Sequence, residues 1–95
     1  MSVLIIFIVF IGVNLYKNVN ILTSSIKNRQ EIQAKITFWQ SVVQRYPEYK
    51  DAYFQAAVLE YQSGDLKQAR QDNNKALLLD PNFSDALKLR DLLAK

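Results

Sequence analysis

The side chains in this sequence that could do chemistry are carboxylates: Asp51, Asp65, Asp72, Asp80, Asp85 and Asp91. Paired acids at a suitable spacing could serve as general acid and base or hold a metal ion, but each of these aspartates has a simpler use. They sit at helix starts, in turns, or four residues from a basic partner. The chain has no histidine and no cysteine, which removes imidazole bases, thiol nucleophiles, disulfides and most zinc chemistry together. No arrangement supplies a nucleophile with an oriented base. The expectation is therefore a protein without catalytic, cofactor-binding or metal-ligating residues, and not an enzyme. At 95 residues the chain makes at most one domain with a small core, which leaves little room for a cleft.

The formal net charge of +3 gains meaning from its location. From Ile36 to Lys95, Arg45, Lys50, Lys67, Arg70, Lys75, Lys88, Arg90 and Lys95 are matched one for one by Glu48, Asp51, Glu60, Asp65, Asp72, Asp80, Asp85 and Asp91. That half is neutral and presents no basic surface for nucleic acid. The excess lies in Lys17, Lys27, Arg29 and Lys35, against Glu31, just after an apolar N-terminus. This cluster suits anionic lipid headgroups and, by the statistical preference of membrane proteins, the cytoplasmic side.

Val3 to Val13 reads VLIIFIVFIGV, and Leu15 and Tyr16 extend it before Lys17 closes it. A bilayer span takes about 20 apolar residues, with about 17 as the short limit, so the segment is slightly short. Tyr16 at the interface and an outward-reaching Lys17 help it to serve as an anchor. A secretory leader would carry a basic start and a small-residue cleavage site; here nothing basic precedes Val3, and only Thr23-Ser24-Ser25 offers a weak site. A buried helix of a soluble protein would need more apolar covering surface than the remainder supplies. The expected organisation is a transmembrane anchor over residues 1–17, a helical juxtamembrane linker over 18–30 and a folded part over 31–95, single-pass with that part cytoplasmic.

Beyond Lys17, apolar residues recur at Val19, Leu22, Ile26, Ile32, Ile36, Trp39 and Val43, which is helical spacing. The stripe misses a beat near Arg29 and Gln30, so a continuous helix and a break near Ser24 to Asn28 both fit. Trp39 and Phe38 are expected in the core. Tyr46-Pro47 ends that helix. A helix from about Asp51 to Gln62 follows, with Ser63-Gly64 closing it and Asp65 capping the next, Gln68 being its capping-box partner. The next runs from about Leu66 to Leu79. After Asp80-Pro81-Asn82, Ser84 and Asp85 open a last short helix to Leu93.

Shifted by 34 residues, the chain aligns Pro47 with Pro81, Asp51 with Asp85, Ala52 with Ala86, Tyr53 with Leu87, Val42 with Ala76 and Val43 with Leu77. That is the tetratricopeptide period, and residues 50–83 resemble one full repeat of that family. In the resemblance Ala57 and Ala69 are the small residues where two helices cross, Tyr53 the large one, Gly64 the turn, Ala76 the second-helix alanine and Pro81 the terminator. Leu59 and Tyr61 join Tyr53 in filling the space around the crossing. Glu31 to Pro47 then looks like half of a preceding repeat and residues 84–95 like a cap helix. The fold expected is all-α: an antiparallel helix-turn-helix tetratricopeptide-like repeat of about four soluble helices, preceded by an N-terminal hydrophobic helix. Arg70 and Asn73 depart from it, standing where the family carries apolar residues. Asn73-Asn74 otherwise reads as a solvated helix face. Such arrays normally need about three repeats, so dimerisation or docking would compensate here.

The resemblance also implies a concave groove for a peptide or helix of another protein, lined by Asp51, Phe54, Gln55, Val58, Tyr61, Gln62 and Lys88. The cationic cluster with which some members grip a C-terminal carboxylate is absent, since Asp51, Phe54, Gln55 and Val58 occupy those places. Phe54 and Tyr61 could equally pack against the preceding helix around Trp39. The function expected is a membrane-anchored protein-protein interaction module or adaptor, homo-oligomeric or not. The alternatives are a small structural subunit of a membrane complex, or an exported soluble repeat protein with a cleaved leader.

Overall fold

The computed structural model describes residues 2–95, with side chains at Ile6, Ile8 and Val9 and from Ile26 onward. It contains four helices, α1 (Ser2–Arg45), α2 (Lys50–Ser63), α3 (Leu66–Leu79) and α4 (Ser84–Leu93), and no strand among the described residues. The architecture is all-α and compatible with a helical repeat. Two units are distinguished, Met1–Gln30 and Glu31–Lys95, and each is taken by itself.

In the first unit, Ile6, Ile8 and Val9 are exposed, and Ser24 to Asn28, where the sequence left a break open, is helical. Among the described residues no helix is long and apolar enough to cross a membrane. Most side chains of the anchor expected over 1–17, and of the linker as far as 25, lie outside the described residues.

The second unit begins with the last turns of α1, where Ile36 is buried and Ile32, Trp39, Val42 and Val43 are half-buried. Trp39 thus meets the core expectation only partly, and Phe38 not at all: it is 57% exposed, its ring edge-on to Trp39 at 5.1 Å. The reason is geometric. Phe38 follows Ile36 by two positions, about 200° around a helix that turns about 100° per residue, and so faces away from the buried stripe. Pro47 ends the helix as expected, with the Tyr46 N–H donating to the Val42 carbonyl at 2.8 Å and the Tyr49 N–H to the Tyr46 carbonyl at 3.0 Å.

α2 and α3 form an antiparallel pair joined through Gly64 and Asp65. Gly64 has φ +91°, the left-handed geometry that only glycine adopts freely. Its N–H donates to the Tyr61 carbonyl at 3.1 Å, and the Asp65 N–H donates to the Glu60 carbonyl at 2.9 Å. Asp65 Oδ1 accepts from the Gln68 N–H at 3.2 Å, which is half of the expected capping box. The other half cannot form, because the Asp65 N–H it needs is already committed to Glu60. The Gln68 amide instead donates to Asp72 Oδ2 at 3.4 Å.

The crossing of α2 and α3 is built on alanine. Ala52, Ala56 and Ala57 of α2 and Ala69 and Ala76 of α3 are buried, and the absence of longer side chains lets the backbones approach. Around them Tyr53 donates its hydroxyl to the Pro47 carbonyl at 2.9 Å, with Lys75 Nζ 5.7 Å from its ring centre. Leu59 is half-buried. Tyr61 is 38% exposed, so it stands outside the crossing that it was expected to fill.

α4 packs on α3 with Ala86, Leu89 and Leu93 buried. The two residues that depart from the repeat pattern fasten it. Asn73, only 1% exposed, donates its Nδ2 to the Ala86 carbonyl at 2.8 Å, and Arg70 Nη2 donates to the Leu93 carbonyl at 3.0 Å. The solvated-face expectation therefore holds for Asn74 and fails for Asn73. Arg70 satisfies the Leu93 carbonyl at the end of α4, which has no donor within the helix, and Asn73 ties the first turn of α4 to α3. Ser84 and Asp85 open the helix as expected, with Phe83 at the cap position and no side-chain cap bond.

A charged clasp links the start of α2 to the end of α3: Lys50 Nζ pairs with Asp80 Oδ2 and lies 4.9 Å from the Phe83 ring centre. Asp80 also accepts from the Asn82 N–H at 3.1 Å. The Lys50 hydrogen bond, then that of Asn82, hold the Asp80 carboxyl below its ordinary value. A depressed carboxyl contributes stability that is present above its unfolded pKa and lost as pH falls through the folded one. Melting temperatures followed downward from about pH 5 should therefore decline less steeply in Lys50→Met than in the wild type.

Candidate partner-binding groove

The residues expected to line a groove occupy one stripe of α2 and one position on α4, and the structure divides them. Gln55, Tyr61, Gln62 and Lys88 are exposed, whereas Asp51, Phe54 and Val58 are half-buried. Phe54 lies edge-on to Phe83, ring centres 5.2 Å apart at 75°. Phe54 and Val58 pack on the cluster Ala57, Ala69, Leu89 and Leu93. The aromatic partner of Phe54 is thus Phe83, which opens α4, and not Trp39. The stripe's middle, Phe54 and Val58, packs toward α4, and Gln55 and Gln62 are left to solvent.

Tyr61 and Gln62 are drawn into a concave surface with Leu66, Arg70, Leu92 and Lys95. Leu93 lines it too, and these five, Leu66, Arg70, Leu92, Leu93 and Lys95, are outside the expected site residues. A signal for two of them was present in the sequence, because Leu92 and Lys95 follow Lys88 by four and seven positions and so continue its helical face. The signal for Leu66 and Arg70 was absent, since their position depends on the turn at Gly64 that brings the start of α3 beside the end of α2.

The lining of this surface is apolar at Leu66, Leu92 and Leu93, aromatic at Tyr61 and cationic at the side chains of Arg70 and Lys95, with no acidic side chain in it. Such a surface can bind by burying side chains and by attracting an anionic group. Among the described residues no group of three or more His, Cys, Asp or Glu could hold a metal ion. A second surface joins Pro47 and Tyr53 to Lys75, Leu78 and Leu79, where Leu78 is 81% exposed. Comparison against protein-family models gives no match for this chain, and comparisons with curated proteins and with solved structures give none either.

Proposed function

We propose that this chain is a membrane-anchored adaptor of the tetratricopeptide type, which uses its helical unit to hold a segment of another protein. The observation that carries the reading is the α2–α3 crossing. Ala57 and Ala69 are fully buried there, at the places the repeat reserves for small residues, and α4 closes on the same cluster. Tyr61, Gln62, Lys88 and Gln55 are left exposed on the stripe that such repeats turn toward their ligands. The neighbouring Arg70, Lys95 and Leu92 favour a ligand with apolar side chains flanked by carboxylates. Binding would proceed by apolar burial and charge complementarity, without chemistry.

The apolar run from Val3 to Val13 and the basic residues after it support the anchor and a cytoplasmic adaptor. Carbonate extraction of the C-terminally tagged full chain, followed by protease treatment of sealed vesicles, tests both. Retention in the membrane with the tag on the cytoplasmic face is expected. Release into the soluble fraction would overturn the anchor, and intact mass would then reveal whether a leader had been cleaved.

A second reading, a small structural subunit of a membrane complex, is favoured by the exposed apolar side chains Leu78, Leu79, Tyr46 and Tyr49. They lie on two neighbouring surfaces that share Pro47. Stoichiometric copurification that is lost on Leu78→Asp while Tyr61→Asp has no effect would select it over the adaptor.

A further inference from the structure

The least expected group in the fold is Glu60. It lies near the end of α2 with 2% of its surface exposed, among alanines, and neither carboxyl oxygen has a hydrogen-bond donor. Asp72, 7% exposed on α3, is its neighbour across the crossing. The charged groups that face it are Asp72 and Lys75 from α3 and Asp65 from the preceding turn, and Lys75 is the one cation among them. Lys75 is itself exposed and reaches toward Tyr53. Asp72 receives one weak contact, from the Gln68 amide. Two ionised carboxylates buried here would repel each other, with only the weak Gln68 contact to Asp72 and none to Glu60 to offset them, which is strongly unfavourable. A single proton changes the contact from repulsion into an O–H···O hydrogen bond.

We propose that Glu60 keeps its proton within the α2–α3 crossing and turns it toward Asp72, and that removing it at alkaline pH loosens the helix pair, so the crossing is a pH-sensitive latch. Glu60 is the group that keeps the proton at neutral pH. Burial, then the Asp72 hydrogen bond and the charges of Asp72 and Asp65, push its carboxyl up to about 9, against an opposing effect of Lys75. Between the unfolded value of 4.5 and about 9 the folded chain holds a proton that the unfolded chain lacks, so stability is fully present below 4.5, falls as pH rises, and levels off above about 9.

The test is reversible melting of the full-length chain in detergent micelles from about pH 6 to about pH 10, wild type against Glu60→Gln. The glutamine amide can donate to Asp72 at every pH. The wild-type folding equilibrium should weaken by about tenfold per pH unit up to the plateau, and the Glu60→Gln profile should lack that component. Parallel profiles would overturn the proposal. A second measurement needs only the wild type: infrared spectra with ¹³C-labelled glutamate at neutral pH. Glu31 and Glu48 are exposed, so the buried Glu60 is the expected source of a labelled carboxylic-acid carbonyl band that disappears on alkaline titration. Its absence at neutral pH would overturn the proposal even if Glu60→Gln did not fold.

Discussion

Ala57→Leu should unfold the α2–α3 pair. Ala57 is completely buried at the crossing, opposite the equally buried Ala69, and its extra carbons could be placed only by separating the helices. Overpacking a core costs about 1–3 kcal/mol and sometimes more. The buried apolar set here consists of Ile36, Leu89 and Leu93 with alanines for the rest, and each alanine methyl adds only about 0.8 kcal/mol by burial. A small core of this kind leaves a margin below about 5 kcal/mol. Loss of a cooperative melt by circular dichroism is expected, whereas Gln55→Leu, exposed two positions earlier, should stay within about 0.5 kcal/mol of wild type.

The second large effect belongs to Leu89→Ala. The cluster of Ala57, Ala69, Leu89 and Leu93 contains two large side chains, both from α4. Removing Leu89 leaves Phe54 and Val58 facing a void, and such truncations cost about 2–5 kcal/mol. Chemical denaturation should show a lower midpoint. Hydrogen exchange should show the amides of α4 losing protection first, because α4 then retains chiefly Leu93 and the bonds from Asn73 and Arg70. Equal loss across α2 and α3 would mean that α4 is not a separable cap.

The helix ends were the most legible part of the fold, because each has a local cause. Pro47 ends α1, Gly64 provides the left-handed turn, and Asp65 caps α3 with its own side chain. Helix faces were legible where a stripe of apolar residues is unbroken, as around Ile36, and misleading where an aromatic residue stands beside the stripe, as at Phe38. What the sequence concealed is the use of polar residues inside the fold. Asn73 looks solvated until α4 presents the Ala86 carbonyl to it, and Asp72 looks like a surface acid until Glu60 is brought against it from another helix. Both depend on contacts between successive helices, which the spacing within one helix does not encode. The groove was legible as a stripe on α2, but its division into packed Phe54 and Val58 and exposed Gln55, Tyr61 and Gln62 required α4 in place.

The adaptor reading is tested most directly by photo-cross-linking from within the groove in intact membranes. An amber-encoded photoreactive residue would be placed at Gln62 or Lys88, with Gln71 as an exposed control on α3. One discrete adduct is expected from Gln62 and from Lys88, absent from Gln71 and lost when Tyr61→Asp or Arg70→Glu is added. Equal adducts from Gln71, or adducts indifferent to Tyr61→Asp and Arg70→Glu, would contradict the adaptor reading.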